Sequence, residues 1–226
     1  MLPPFVSLAT PLIVTAIALA RTLVDTLPFG VPGLFNPWKD VCNDDLVCNG
    51  PEDKLRRLAA HLSGTPRFIV CGEAPGHLGC RHSGIAFTSE RLLLEGAIPR
   101  VARPDSRLTS RKLPFSEPSA TIVWRVLNEL GIAQETVLWN ALQMHPHKPG
   151  DVRTNRTPTP KELMQGAPAM RILVDAFPTT KLIAVGRKAE TLLQEMGLET
   201  AGQVRHPANG GATAFAVGLR KLVQQS

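Results

Sequence analysis

The chain has only four cysteines in 226 residues, and no two of them stand as a C-x-x-C pair. Cys42, Cys48, Cys71 and Cys80 therefore do not read as a zinc site or as the disulfide framework of a secreted domain, and a reducing cytoplasm suits them best. Several catalytic fingerprints are also missing. No G-x-x-x-x-G-K-[ST] occurs, which disfavours a phosphate-loop NTPase, and neither G-x-G-x-x-G nor the G-x-S-x-G elbow of serine hydrolases is found. No lysine or arginine precedes Arg21, so the apolar stretch 5–27 is not expected to be a signal peptide. Arg21 and Asp25 interrupt that stretch and Pro11 disturbs its first turns. It reads as a helix over residues 11–27 packed on the domain, with a membrane anchor as the lesser alternative. No internal repeat is present, and the 20 prolines and 18 glycines are dispersed rather than gathered into a linker.

What is present is positive charge and an alternating pattern. Twenty-five Lys and Arg stand against 19 Asp and Glu, a net charge of +6. Such a balance favours anionic partners, nucleic acid being the commonest large one, while a merely basic soluble protein is the plain alternative. The length suits one domain over residues 1–226, with 1–50 as a helical and irregular extension packed on it. Residues 51–63 carry Leu55, Leu58, Ala59 and Leu62 at helical spacing. Short strands are expected at 68–71, 135–142, 181–185 and 203–205. Helices are expected at 89–97, 116–130, 159–177, 186–197 and 212–223. Thr159, Pro160 and Glu162 form a capping-box start for the third of these. The fold class is therefore α/β, with a mostly parallel sheet covered by helices on both faces.

Right-handed crossovers place the carboxyl ends of parallel strands on one edge, where α/β proteins bind ligands. The first strand runs into Gly72-Glu73-Ala74-Pro75-Gly76-His77, a turn that cannot continue a ladder. The second delivers Asn140. The last leads through Arg205 to His206-Pro207-Ala208-Asn209-Gly210-Gly211. An amide donor and acceptor side by side suit the edge of a nucleobase, an aromatic such as Phe87 suits its face, and His206 can stabilise a leaving anion. Each residue also has a plain reading: a turn histidine, a loop-capping Asn, a core Phe, a surface Glu. Residues 98–113, with Arg100, Arg103, Arg107, Arg111 and Lys112, read equally as a solvated loop or as a loop laid against a phosphate backbone.

From residue 68 onward these motifs resemble the uracil-DNA glycosylase superfamily. Gly72-Glu73-Ala74-Pro75-Gly76 is similar to its first motif, closest to the branch called family four and next to family five. Gly84 to Thr88 resembles the segment supplying the stacking aromatic, and Asn155-Arg156-Thr157-Pro158-Thr159-Pro160 resembles the N-R-x-P-T-P start of a family-four helix. His206-Pro207-Ala208 resembles the second motif, with Ala in place of Ser. The resemblance implies a three-layer α/β/α sandwich around a four-stranded parallel sheet. It also implies flipping of a uracil nucleotide and hydrolysis of its N-glycosidic bond by a monofunctional enzyme. It assigns catalysis to Glu73 and His206, and base binding to Gly72, Ala74, Gly76, Phe87 and Asn140. It assigns DNA contact to His77, Arg205, Pro207, Asn209 and Gly210, the loop 207–211 pressing into the minor groove.

Three departures stand out. Ala74 occupies the position of a catalytic Asp in the best-known branch. Gly76 occupies that of a bulky Tyr that excludes the methyl of thymine, so a wider range of deaminated bases is a reasonable expectation. The iron–sulfur cysteines of family four have no counterpart near Met144 or Gly166, so no cluster, no metal and no cofactor are expected. The expected partner is DNA containing uracil or abasic sites, met by a monomer in the cytoplasm at the nucleoid. The alternatives are a damaged-base or abasic-site binder with little turnover on the same fold, and a small-molecule nucleoside hydrolase.

Overall fold

A computed structural model describes residues 9–225, with side chains from residue 16 onward; the first eight residues, which begin the apolar stretch and the extension, lie outside the described residues. Helix α1 (Ala9–Asp25) is followed by the two-residue strand β1 (Leu34–Phe35), helix α2 (Pro51–Leu62) and strand β2 (Phe68–Gly72). Two short helices, α3 (Cys80–Ser83) and α4 (Glu90–Leu94), precede α5 (Pro118–Glu129) and strand β3 (Thr136–Asn140). Then come β4 (His145–Pro146), α6 (Pro160–Met164), α7 (Ala167–Ala176), β5 (Lys181–Val185), α8 (Arg187–Glu195), β6 (Gly202–Val204) and α9 (Ala212–Gln224).

The main sheet has four parallel strands in the order β3-β2-β5-β6. Alternation along the strands divides the core. Ile69, Cys71, Val137, Trp139, Leu182 and Ala184 face α1, α2, α7 and α8. Phe68, Val70, Leu138, Ile183, Val185 and Val204 face α4, α5 and α9. Both faces are thus covered, as buried parallel sheets require. Strand β3 lies at the sheet edge, where its Leu138 N–H donates to the buried His61 Nε2 at 2.8 Å. That side chain satisfies a backbone donor with no neighbouring strand to serve it.

The irregular segment after α1 is tied down more firmly than its Gly, Pro and Asn content suggests. β1 pairs antiparallel with β4, matching Leu34 to Pro146 and Phe35 to His145. Arg156 clamps the same place, donating to Gly33 O at 2.8 Å and His147 O at 2.8 Å and pairing with Glu162 at 2.6 Å. The helix expected over 159–177 is two helices. At Gly166 the backbone presses so close to β3 that a Cβ would lie 1.9 Å from Ala141 O, and Pro168 follows without an N–H to extend the ladder. The capping box is present, Thr159 N donating to Glu162 Oε2 at 2.8 Å. No helix among the described residues is long and apolar enough to cross a membrane. α1 instead packs Ala20, Leu23 and Val24 into the core.

Candidate active site

Parallel register brings Gly72 level with Asn140, the last residues of β2 and β3. The ladder runs one step further, Ala141 N donating to Gly72 O and Leu142 N to Glu73 O, each at 2.9 Å. The Gly72–Gly76 turn therefore leaves the sheet directly beside the Asn140 side chain. A Cβ on Gly72 would stand 2.6 Å from Phe87 Cζ and 2.7 Å from Asn140 Oδ1. Glycine is what allows ring and amide to converge there. Asn140 is only 4 % exposed, and its side-chain amide has no hydrogen-bond partner among the described residues. A nearly buried amide that no protein group engages is free to meet water or a ligand that reaches it. Its backbone is braced from behind, since Gln143 Nε2 donates to Asn140 O at 2.7 Å and Ala141 O at 3.0 Å.

Phe87 sits at φ +49°, a left-handed conformation strained for an aromatic residue. Ser83 Oγ donates to Thr88 O at 2.7 Å and accepts from Ile85 N at 3.1 Å, and Trp124 Nε1 donates to Thr88 Oγ1 at 3.0 Å. These bonds fix the turn that aims the ring. Across the cleft lies the His206 imidazole, its centroid 6.2 Å from that of Phe87. Ala208 N donates to His206 Nδ1 at 3.1 Å, so in the neutral ring the proton is on Nε2, which is left as a donor. Burial, with Arg205 adding to it, pushes the His206 pKa down, so the ring is neutral at physiological pH. The turn is tight: a Cβ on Gly211 would lie 2.0 Å from His206 O.

Glu73, half-buried, pairs with Lys188 of α8, Oε1 to Nζ at 3.4 Å. Glu73, Ala74, Phe87, Lys188, Arg205 and His206 line a cleft of about 380 Å³. It adjoins a second lobe of about 500 Å³, which shares Glu73, Ala74, Lys188 and His206 with the first. The second lobe adds Gly76, Glu117, Asn155 and Arg156. Asn209 and Gly210 form the exposed tip of the turn after His206, with Asn209 at φ +52° and Gly210 at φ +76°. Pro207 is buried at the base of that turn rather than at its tip.

His77 points elsewhere. Its N–H donates to Asn155 Oδ1 at 3.0 Å, and it lines a separate hollow with Asp44, Arg111, Phe115 and Arg153. His145, buried beneath the first turn, has Nδ1 3.0 Å from Pro75 O and Nε2 3.1 Å from Val152 O; burial pushes its pKa down to about 4, so the neutral ring donates to one of the two. The basic loop divides between two roles. Arg100 donates to Thr136 O at 2.8 Å, and Arg107 pairs with the buried Glu90 at 2.9 Å, so both belong to the framework. Arg103, Arg111 and Lys112 are exposed.

Three residues of this cleft carried no expectation from sequence: Lys188, Glu117 and, for its contact to His77, Asn155. The topology held a signal for two of them. Helices of a parallel α/β unit run against the strands, so α5 and α8 begin at the edge where the strands end.

One cluster elsewhere has metal-ligating types: Cys42, Asp45 and His82 place ligand atoms within 4.8 Å of one another. Its cationic partners are already side chains. Lys54 Nζ lies 2.5 Å from Asp45 Oδ2 and Arg81 Nη1 lies 3.5 Å from Cys42 Sγ, so a metal would have to displace a buried ammonium.

A family model described as the uracil DNA glycosylase superfamily matches residues 60–217, from the end of α2 into α9. Among solved structures, wild-type SMUG2 from Pedobacter heparinus superposes with a TM-score of 0.61 at 13 % identity, covering 93 % of this chain and 97 % of that one. No curated protein matches.

Proposed function

The chain belongs to the uracil DNA glycosylase superfamily, and from that premise we propose that it extrudes uracil from DNA and hydrolyses the N-glycosidic bond, leaving an abasic site. The observation that carries this reading is the unpartnered, nearly buried Asn140 amide. A flipped uracil offers an N–H beside a carbonyl, the complement of one amide edge. Phe87 gives the base a face to lie on, and the neutral His206 donates from Nε2 to a base oxygen as negative charge gathers there. Glu73 orients water or offsets positive charge growing on the sugar, while Lys188 holds its carboxylate in place. The exposed Asn209–Gly210 tip presses into the minor groove where the base has left a gap. The void beside Gly76 admits a larger or methylated base, so the substrate range extends beyond uracil.

A second reading, a damaged-base binder with little turnover, is favoured by Ala74, which brings a methyl where a catalytic carboxylate would act. A labelled duplex with one uracil separates the two. Incubation followed by alkali cleaves the strand at uracil if the enzyme reading holds. Retarded but uncleaved DNA at excess protein supports the binder and overturns the enzyme.

A further inference from the structure

Glu117 takes the N-cap position of α5 without capping it, as none of the helix N–H groups donates to its side chain. Its carboxyl instead enters the second lobe of the cleft. A Cβ on Gly79 would lie 1.8 Å from Oε2, and one on Gly76 would lie 3.9 Å from Oε1. Asn140 thus stands at the Gly72 end of the turn and Glu117 at its Gly76 end, with Glu73 and His206 lining the same lobe as Glu117. No hydrogen bond or ion pair holds the Glu117 carboxyl among the described residues. The two carboxyls of the cleft therefore differ: Glu73 has a cation beside it and Glu117 has none.

We propose that Glu117, whose carboxyl enters the lobe that Glu73 and His206 also line, is the acid of the glycosylase reaction. This rests on the glycosylase reading. As the N-glycosidic bond breaks, its electron pair leaves with the base, and Glu117 gives its proton to a ring nitrogen or oxygen of that base. Water bonds to C1′ of the sugar, and the proton it loses restores Glu117 directly or through solvent. The products are neutral base and an abasic sugar. A base that leaves poorly as an anion gains most from such a donor.

The environment supports a carboxyl that keeps its proton. Glu117 is half-buried at the wall of its lobe, and burial pushes its pKa up to about 7 with no neighbouring charge contributing. The charged and titratable groups around it are occupied or neutral. Glu73 pairs with Lys188, Arg156 pairs with Glu162, Arg91 pairs with Glu95 while bonding Ser116 and Thr121, His77 meets Asn155, His206 is held neutral, and burial pushes the Cys80 thiol up. A limb of the rate profile near neutrality therefore belongs to Glu117 and not to His206, whose pKa is displaced downward.

The test is single-turnover release of uracil from a duplex between about pH 6 and pH 9, for the wild type, Glu117→Gln and Glu117→Asp. The expected wild-type rate falls through neutrality, toward tenfold per pH unit. Glu117→Gln keeps the shape without the titrating proton. It should be slower at pH 6 by on the order of a hundredfold and lack the falling limb. Glu117→Asp, an acid of shorter reach, should be slow yet keep the limb. A Glu117→Gln rate within about threefold of wild type at pH 6, the same limb in Glu117→Gln, or a flat wild-type profile overturns the assignment of Glu117 alone. A wild type that releases no uracil at any pH overturns the glycosylase reading and this inference with it. Unchanged duplex binding by Glu117→Gln would place the loss in the chemical step, which a merely structural role would not do.

Discussion

Asn140 and His206 are assigned the largest share of the chemistry, and for opposite electrostatic reasons. Asn140 is neutral at every pH, and its proposed role rests on geometry, its backbone braced at the end of β3 by Gln143. His206 is titratable yet kept neutral, its proton confined to Nε2 by the bond from Ala208 N. Asn140→Ala and His206→Ala should each slow uracil release on the order of a hundredfold, the usual cost of one preorganised donor at a developing charge. His206 lines the cleft and the Asn140 side chain makes no hydrogen bond among the described residues, so thermal midpoints should move little. Rates near wild type in both variants would refute the site. Phe87 shows how a residue can be legible in type but not in conformation: an aromatic after the first motif was expected, and its φ of +49° was not.

Among the elements, the segment 98–113 depends most on one residue. Glu90, at the start of α4, is fully buried and accepts from Leu108 N and Thr109 N at 3.0 Å, Phe115 N at 2.9 Å and Thr109 Oγ1 at 2.6 Å, besides pairing with Arg107. Burial alone would raise its pKa, but these bonds outweigh burial and hold it below the usual carboxylate range. A carboxyl depressed in the folded state adds stability above its unfolded pKa and loses it as pH falls through the folded one. Urea midpoints should therefore drop more steeply for the wild type than for Glu90→Gln as pH falls from about 5 to 3. At pH 7 the variant should be destabilised by about 1–3 kcal/mol, the cost of buried donors losing a charged acceptor, since Arg107 itself keeps access to water. Equal midpoints at neutral pH would show that the loop does not depend on this carboxylate. A reading of the loop by charge alone could not separate Arg100 and Arg107, spent on the framework, from exposed Arg103, Arg111 and Lys112.

At the scale of the whole molecule, net charge of +6 and an edge cleft rimmed by Arg187, Lys188 and Arg205 suit a polyanion. Duplex binding should weaken as salt rises, log affinity falling linearly with log salt concentration at a slope near −0.9 for each phosphate neutralised. Binding indifferent to salt would point to a small nucleoside as ligand instead. The alternation of strands and helices, the glycine-broken first turn and the positions of Asn140 and His206 were all legible in the chain, because they follow from local rules: side-chain period, turn chemistry and the common edge of parallel strands. The split between α6 and α7 was not, because it comes from the backbone of Gly166 meeting Ala141, residues remote in sequence. Nor were the Glu73–Lys188 pair and the unpaired Glu117, whose meaning lies in what stands next to each carboxyl. Residue type and spacing settle which groups reach the edge of the sheet. Charge state and reach depend on burial and on neighbours brought from distant elements, and these exist only once the chain has packed.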